Sequence, residues 1–115
     1  MNIFELMTEI AKCKKARLPL IRTLMDFELV EVIGLHQLRG RPISVKQLAL
    51  ERIGAKSTIA RRMAALRRMG YVMTSEHPLD ARMQMATLSP GVLKIYKDCA
   101  EMVEKHLPKH AAIQI

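Results

Sequence analysis

The sequence predicts a mainly α-helical fold with one small β-hairpin, and three observations support this. The chain has 115 residues, which fits one domain around a single modest core. Half of the residues are apolar but only 3% are aromatic, a composition that favours packed helices over a β-sandwich. Prolines and glycines recur at intervals that suit short helices and the turns between them. We therefore expect a single domain over residues 1–115.

Helices are expected near both ends of the chain. Residues 2–16 carry apolar side chains at helical spacing, and this helix should stop before Pro19, because a proline disfavours helical geometry at the residue before it. A second helix should begin at Asp26, as its N-cap, and run to about Leu38 with apolar residues on almost every side. A last helix is expected over residues 90–106, with an apolar stripe larger than so small a domain can bury alone.

The middle of the chain has the pattern of two helices around a short turn. Ser44 and Gln47 have the spacing of a capping box, which predicts the start of a short third helix. A turn around Gly54 leads to a fourth helix that ends at Gly70. This arrangement over residues 44–70 is typical of a helix-turn-helix.

Residues 71–88 predict a β-hairpin. Two β-compatible runs, 71–75 and 83–88, flank a segment rich in turn formers, so we expect a charged tip of seven residues over 76–82. A hairpin directly after a helix-turn-helix gives a winged helix-turn-helix domain, in which the hairpin is the wing.

The positive charge is concentrated in one stretch of the chain. The formal net charge is +8, and the segment from Arg39 to Arg82 contains ten basic and three acidic residues. The helix-turn-helix and most of the wing therefore carry nearly all of the surplus. A basic region of this kind is the expected electrostatic footprint of a nucleic-acid-binding protein.

The fourth helix separates an apolar side from a basic side. Ile59, Met63 and Leu66 fall on one side of the helical wheel, whereas the opposite side carries small residues and arginines. The simpler interpretation is a solvated charged face, but four arginines without acidic partners would then repel one another. We favour contact with DNA, in which short residues admit the helix to the major groove and arginine pairs with guanine.

The candidate DNA-binding residues lie on the third and fourth helices and on the wing. Lys46 would hold a phosphate, and His77 and Arg82 would reach the adjacent minor groove. A loop histidine without a role is an equally good interpretation of His77, and Asp80 is expected to orient Arg82. The full set is Lys46, Lys56, Ser57, Thr58, Arg61, Arg62, Arg68, His77 and Arg82.

Three segments resemble the multiple-antibiotic-resistance regulator (MarR) family of winged-helix transcription factors. Residues 47–72, QLALERIGAKSTIARRMAALRRMGYV, look like the third and fourth helices of that family with the first wing strand. Asp80-Ala-Arg82 matches the D-x-R motif of its wing, and Leu88-Ser-Pro-Gly91 is similar to the start of its next helix. The chain departs from the family in three ways: Ala55 stands where a capping serine is usual, Gly91 comes one residue early, and one C-terminal helix replaces two.

The resemblance implies a homodimer that reads a pseudo-palindromic operator. The helices over residues 1–18 and 92–107 would join two subunits, which agrees with their surplus apolar stripes. A small-molecule effector is left open, because the shortening affects the region where relatives form effector pockets. By resemblance, the DNA contacts would come from the fourth helix and the wing, through Ser57, Thr58, Arg61, Arg62 and Arg82.

The preferred interpretation is a sequence-specific transcriptional regulator that binds double-stranded DNA, a repressor in preference to an activator. The alternative is a winged-helix module for protein assembly in a plasmid or phage accessory system. A membrane-surface role is disfavoured, because the arginines share their helix face with alanines and not with large apolar residues. We expect no enzyme activity, metal or cofactor, because the four histidines lack partners at metal-ligand or triad spacing.

Cys13 and Cys99 are the only cysteines in the sequence and lie near its opposite ends. We expect two free thiols in helices, with a redox sensor as the alternative, and no disulfide framework. No apolar run approaches the roughly 20 residues that a membrane-spanning helix needs, so we expect a soluble, cytoplasmic protein without a membrane partner.

Overall fold

The computed structural model of the protein describes residues 2–51 and 53–107. Two compact units are found, a terminal unit of Met1–Ile21 with Val92–Ile115 and a central unit of Arg22–Gly91. The predicted mainly helical fold with a small β-hairpin is confirmed, whereas the assignment of all residues to one domain with subunit-joining helices at both ends stays a prediction. The elements are α1 (Ile3–Arg17), α2 (Leu24–Leu38), β1 (Ile43–Ser44), α3 (Val45–Leu50), α4 (Lys56–Arg68), β2 (Val72–His77), β3 (Asp80–Leu88) and α5 (Pro90–His106).

The core of the central unit joins α2, α3 and α4 to the sheet. Gly34 lets α2 approach β3 closely, since a Cβ at this position would lie 3.0 Å from Leu88 Cδ1. The backbone amide of Leu88 also donates to Gln37 Oε1 at 2.8 Å, which ties the same helix to the same strand. The buried apolar residues of this core include Leu29, Val30, Ile33, Ile43, Leu48, Ile59, Met63, Leu66, Val72, Ala86 and Leu88.

The sheet has three antiparallel strands in the order β1-β3-β2. β1 pairs with β3 through Ile43 opposite Ala86 and Ser44 opposite Met85. β1 was not predicted from the sequence, because two residues are too few to show the alternation typical of a strand. This short strand ties the start of α3 to the hairpin.

The hairpin is longer, and its turn tighter, than predicted. β2 continues to His77 and β3 begins at Asp80, so the tip is the two-residue turn Pro78-Leu79. The predicted seven-residue tip over 76–82 was therefore wrong. Its turn formers suggested a loop, but hydrogen bonds accepted by the side chains of His77 and Asp80 stabilise a compact turn instead. The pairing register shifts just before His77, which places an irregularity close to the tip.

Local hydrogen bonds explain where the helices of the central unit begin and end. In the predicted capping box, which is confirmed, Ser44 Oγ accepts from the Gln47 amide at 3.0 Å and Gln47 Oε1 accepts from the Ser44 amide at 3.4 Å. The turn after α4 forms as predicted at Gly70, whose φ of 79° favours glycine. The predicted cap of α2 was wrong: Thr23 Oγ1 accepts from the amide of Asp26, which lies inside the first turn.

A disulfide bond links the two helices of the terminal unit. Cys13 on α1 and Cys99 on α5 are joined, with their Cα atoms 6.2 Å apart. The prediction of two free thiols was therefore wrong, because separation along the sequence does not determine the distance between two packed helices. The Arg17 Nη2 atom also lies 3.0 Å from Asp98 Oδ2, and this contact holds the pKa of the Asp98 carboxyl below its usual range.

Removal of the disulfide should destabilise the protein. The bond closes a sequence separation of 86 residues, so Cys13→Ala should lower the free energy of unfolding by about 2–4 kcal/mol, chiefly through the greater freedom of the unfolded chain. Urea unfolding with and without a thiol reductant measures this. Reductant should bring the wild type close to the variant and leave the variant unchanged. Equal stability of the two proteins in oxidising buffer would contradict the expectation.

Candidate nucleic-acid interface

α4 presents a polar, basic side to solvent. Ser57, Arg61 and Arg68 are exposed, on the side of the helix opposite the buried Ile59 and the rest of its apolar stripe. Neither Arg61 nor Arg68 forms an ion pair with any residue that the structure describes. This surface therefore exposes guanidinium groups, a hydroxyl and small side chains to solvent, and α4 carries no carboxylate that could neutralise them.

The first turn of α4 has no side-chain cap. Ala55 is the N-cap residue and supplies no hydrogen bond to the free amides of that turn, which carry the positive end of the helix dipole. Lys56 and Ser57 are exposed beside these amides, and Thr58 is half-buried. This end of the helix can therefore donate N–H and O–H groups to an anion such as a phosphate.

Arg62 differs from its neighbours because it turns back onto α2. Its Nε and Nη2 atoms donate to Asp26 Oδ1 and Oδ2 at 2.8 and 2.7 Å, and the Asp26 side chain is only 1% exposed. The hydrogen bonds with Asp26 raise the pKa of Arg62 further above its usual value, so the guanidinium stays charged. Contact between Arg62 and DNA stays a prediction, and two of the three guanidinium nitrogens are already used within the protein.

Lys46 and Arg82 line one cleft between the start of α3 and β3. The floor and walls of this cleft also include Ser44, Gln47 and Gln84. Lys46 is exposed, and the Arg82 side chain is 92% exposed. Lys46, which was predicted to contact a phosphate, and Arg82, which was predicted to enter the minor groove, therefore line the same cleft.

Asp80 and His77 organise the tip of the hairpin. As expected, Asp80 orients Arg82: its Oδ1 accepts from the Arg82 amide at 3.0 Å and from Arg82 Nε at 3.2 Å, and these bonds lower the pKa of Asp80. His77 Nδ1 accepts from the amide of Leu79 at 3.0 Å, and His77 lines a different cleft, beside Arg41. A contact between His77 and DNA would therefore use Nε2 and would be made outside the cleft of Arg82.

The positive charge of the central stretch lies at the surface. Apart from Arg62, the basic residues described between positions 39 and 82 are exposed. They are Arg39, Arg41, Lys46, Lys56, Arg61, Arg67, Arg68 and Arg82.

Metal sites and membrane spans are both absent from residues 2–51 and 53–107. No group of three or more His, Cys, Asp or Glu side chains in this part of the chain could hold a metal ion. No helix there combines the length and the apolar character that crossing a bilayer requires.

Besides β1, three features of the structure were not predicted from the sequence: the disulfide, the Asp26–Arg62 pair and the apex residue Leu79. A carboxylate on an otherwise apolar helix needs a counter-charge when it is buried, so Asp26 itself was a usable signal. Leu79 is 91% exposed at the tip of the wing. Its place at the apex was not predicted, because the turn was expected to have seven residues and has two.

A helix-turn-helix of α3 and α4, followed by the hairpin of β2 and β3, defines a winged helix-turn-helix fold. Among solved structures, the S. aureus MepR–DNA complex is similar with a TM-score of 0.65 and 12% identity, covering 90% of this chain and 82% of that chain. S. pneumoniae FabT in complex with DNA has a TM-score of 0.58 and 19% identity, with coverage of 90% and 74%. A MarR structure has a TM-score of 0.54 and 17% identity, with coverage of 95% and 85%.

These structures confirm the predicted MarR-like winged-helix fold. No protein-family model and no curated protein matches the sequence. The likeness therefore concerns the fold, and the role of each exposed side chain must be argued from the surface itself.

Breaking the Asp26–Arg62 pair from the arginine side should destabilise the central unit. Arg62→Met leaves the buried carboxylate of Asp26 without a counter-charge, which should lower the free energy of unfolding by about 3 kcal/mol. The double variant Asp26→Leu/Arg62→Met removes both charges and should recover most of this loss. Urea unfolding measures all three proteins, with the exposed Arg67→Met as the matched control. A single variant as stable as the control would show that the pair does not anchor α4.

Proposed function

We propose that this protein binds double-stranded DNA sequence-specifically and regulates transcription as a homodimer, acting as a repressor by occupying its operator. One observation carries the proposal: α4 exposes Arg61, Arg68 and Ser57 without an intervening carboxylate, directly before a wing that exposes Arg82. An exposed guanidinium can pair with guanine O6 and N7 in the major groove. The MepR and FabT structures contain DNA, which supports the same role for this fold here. The proposal assigns no catalytic step to the protein.

In this proposal α4 is the recognition helix. Its 13 residues make a rod of about 20 Å, long enough to lie in the major groove. Arg61 reads base edges, and Lys56 and Ser57 contact phosphates together with the free amides of the first turn. Lys46 holds a phosphate from the start of α3, and Arg82 enters the minor groove from the wing. Thr58 and Arg68 extend the contact along α4.

Arg62 contributes mainly by positioning α4. Its bidentate bonds to Asp26 fix the rotation of the helix about its axis. Arg61 is the preceding residue and lies about 100° around the helix, so the same bonds turn Arg61 outward.

The terminal unit would join two copies of the chain. Phe4 and Met7, one turn apart on α1, are 71% and 57% exposed. Large apolar side chains clustered on one helix face indicate an interaction surface. A two-fold dimer of winged helices presents its recognition helices roughly 34–36 Å apart and reads a pseudo-palindrome, so a second copy is the partner that this function needs.

The proposed function is tested by the affinity for duplex DNA across a salt series, with duplexes enriched from a random pool by the wild-type protein. A dimer that makes 6–10 phosphate contacts should give a log-log slope of about −5 to −9. A protein-assembly module, the alternative function, would bind weakly with a shallow slope. That result would overturn the proposal.

Two substitutions separate base reading from phosphate contact. Arg61→Ala should lose about 1–3 kcal/mol of discrimination at one position in each half-site, because its pairing with a base is lost. Lys46→Ala should weaken all sequences alike and make the salt slope shallower by about 1 per subunit. Arg22→Ala, which removes an exposed charge outside the basic stretch, is the control for net charge. Uniform weakening by Arg61→Ala would contradict a base-reading role.

The dimer should depend on the exposed apolar face of α1. Phe4→Glu places a charge at that face, so the variant should sediment as a monomer in analytical ultracentrifugation and bind one half-site with a shallower salt slope. Ala16→Glu, at an exposed position about 120° around the same helix, is the matched control and should stay dimeric. A monomeric wild type at concentrations that saturate DNA would exclude the homodimer.

A further inference from the structure

Leu79 is the most exposed of the large apolar side chains that the structure describes. It is 91% exposed, in the two-residue turn between β2 and β3. Turn positions favour glycine, asparagine, aspartate and serine, residues that are well solvated or conformationally permissive. The DNA contacts proposed above do not use this side chain, so its position at the apex of the wing needs a separate explanation.

The turn holds Leu79 outward. The Leu79 amide donates to His77 Nδ1 at 3.0 Å, and the ring of Pro78 restricts its own φ. On the other side of the turn, Asp80 accepts from the Arg82 amide at 3.0 Å. These bonds fix the backbone of the turn, so that Leu79 is held at the apex of the wing. Insertion into a partner would then order only the rotamers of one side chain and not the loop that carries it.

Only the tip of a hairpin fits the minor groove of DNA. This groove is about 6 Å wide, and two strands with their side chains exceed that width, since their backbones alone are about 4.8 Å apart. Proteins that enter the minor groove commonly combine a cation that reads the groove with an apolar side chain inserted between base pairs. The apex of this wing carries both, in Leu79 and in the 92% exposed side chain of Arg82.

We propose that Leu79 is an apolar wedge that enters the minor groove with Arg82, partly unstacks one base step and bends the duplex. This inference rests on the proposed function, because the wing must first meet DNA. It adds a second, indirect source of sequence preference. A wedge favours pyrimidine–purine steps, which unstack easily, whereas an arginine alone favours the narrow groove of a stiff A-tract.

The experiment follows unstacking and bending in the same duplex. A 30-base-pair duplex, enriched from a random pool by the wild type, carries 2-aminopurine at successive positions of each flank and a fluorophore pair at its ends. The wild type should raise the 2-aminopurine emission at one step in each flank and shorten the end-to-end distance. Leu79→Ala should abolish both signals and weaken binding about tenfold, as expected for the loss of most of an inserted side chain.

Two further variants make the result specific. Leu79→Met keeps an apolar side chain of similar volume and should retain the emission change and the bend. Leu38→Ala truncates another leucine, which is 82% exposed at the end of α2, and should behave as the wild type. In duplexes that differ only at the unstacked step, the wild type should prefer TA over AA at least severalfold, and Leu79→Ala should lose this preference.

The outcomes separate the wedge from the function on which it rests. Wild-type binding with a steep salt dependence but without unstacking or bending would overturn the wedge and leave the proposed function intact. Unchanged unstacking and bending by Leu79→Ala would overturn the wedge as well. Failure of the wild type to enrich any duplex would overturn the proposed function itself, before any Leu79 variant is compared.

Discussion

The ion pair between Asp26 and Arg62 is the constraint on which the exposed surface of α4 depends. A buried carboxylate is stable only with a counter-charge and hydrogen bonds, and Arg62 supplies both through two nitrogen atoms. A helix held by a bidentate contact on one side has little freedom to rotate. The apolar stripe of α4 alone would tolerate some rotation, because dispersion and apolar burial are not directional. The orientation of Arg61 and Arg68 is therefore determined by an arginine that mainly faces the protein itself.

Much of the fold follows from local signals in the sequence. The stripe of Ile59, Met63 and Leu66, the capping box of Ser44 and Gln47 and the helix-ending Gly70 each depend on residues within one or two turns, and all three were predicted correctly. The same stripe predicts which side of α4 faces outward, and the Asp26–Arg62 pair then restricts the remaining rotation of the helix. Such features need no knowledge of distant partners.

The features that were missed or predicted wrongly depend on partners distant in sequence or on competition between neighbours. β1 exists because β3 pairs with it, and the Cys13–Cys99 bond joins two helices whose cysteines are 86 positions apart in the sequence. The cap of α2 was a local choice between Thr23 and Asp26. Asp26 accepts hydrogen bonds from Arg62, which lies 36 positions away in the sequence. A carboxylate bonded to this guanidinium cannot also cap the amides at the start of α2, and Thr23 caps the helix instead.

Covalent and ionic contacts join α1 to α5, two helices on which few of the described residues are buried. On α1, Leu6 is the buried residue that the structure describes, whereas Phe4 and Met7 face solvent. The disulfide and the Arg17–Asp98 contact hold α1 to α5 without drawing those side chains inward. A helix pair closed in this way can keep an apolar face available for a second copy, since its own cohesion does not depend on burying that face.

Within the central unit, the basic surface can stay exposed and still be ordered, because two carboxylates fix the positions of the elements that carry it. Asp26 and Asp80 each hold an arginine, and both lie at positions where they fix geometry: one on α2, against the middle of α4, and one at the tip of the wing. Arg61, Arg68 and Lys46 have no such partner among the described residues and remain free to meet an anion. Asp26 restricts α4, and Asp80 restricts both the backbone of the wing tip and the side chain of Arg82. In the proposed function, the surface would therefore approach DNA with its helix and hairpin already in place. Little binding energy is then spent on ordering them, and differences between base sequences can dominate the affinity.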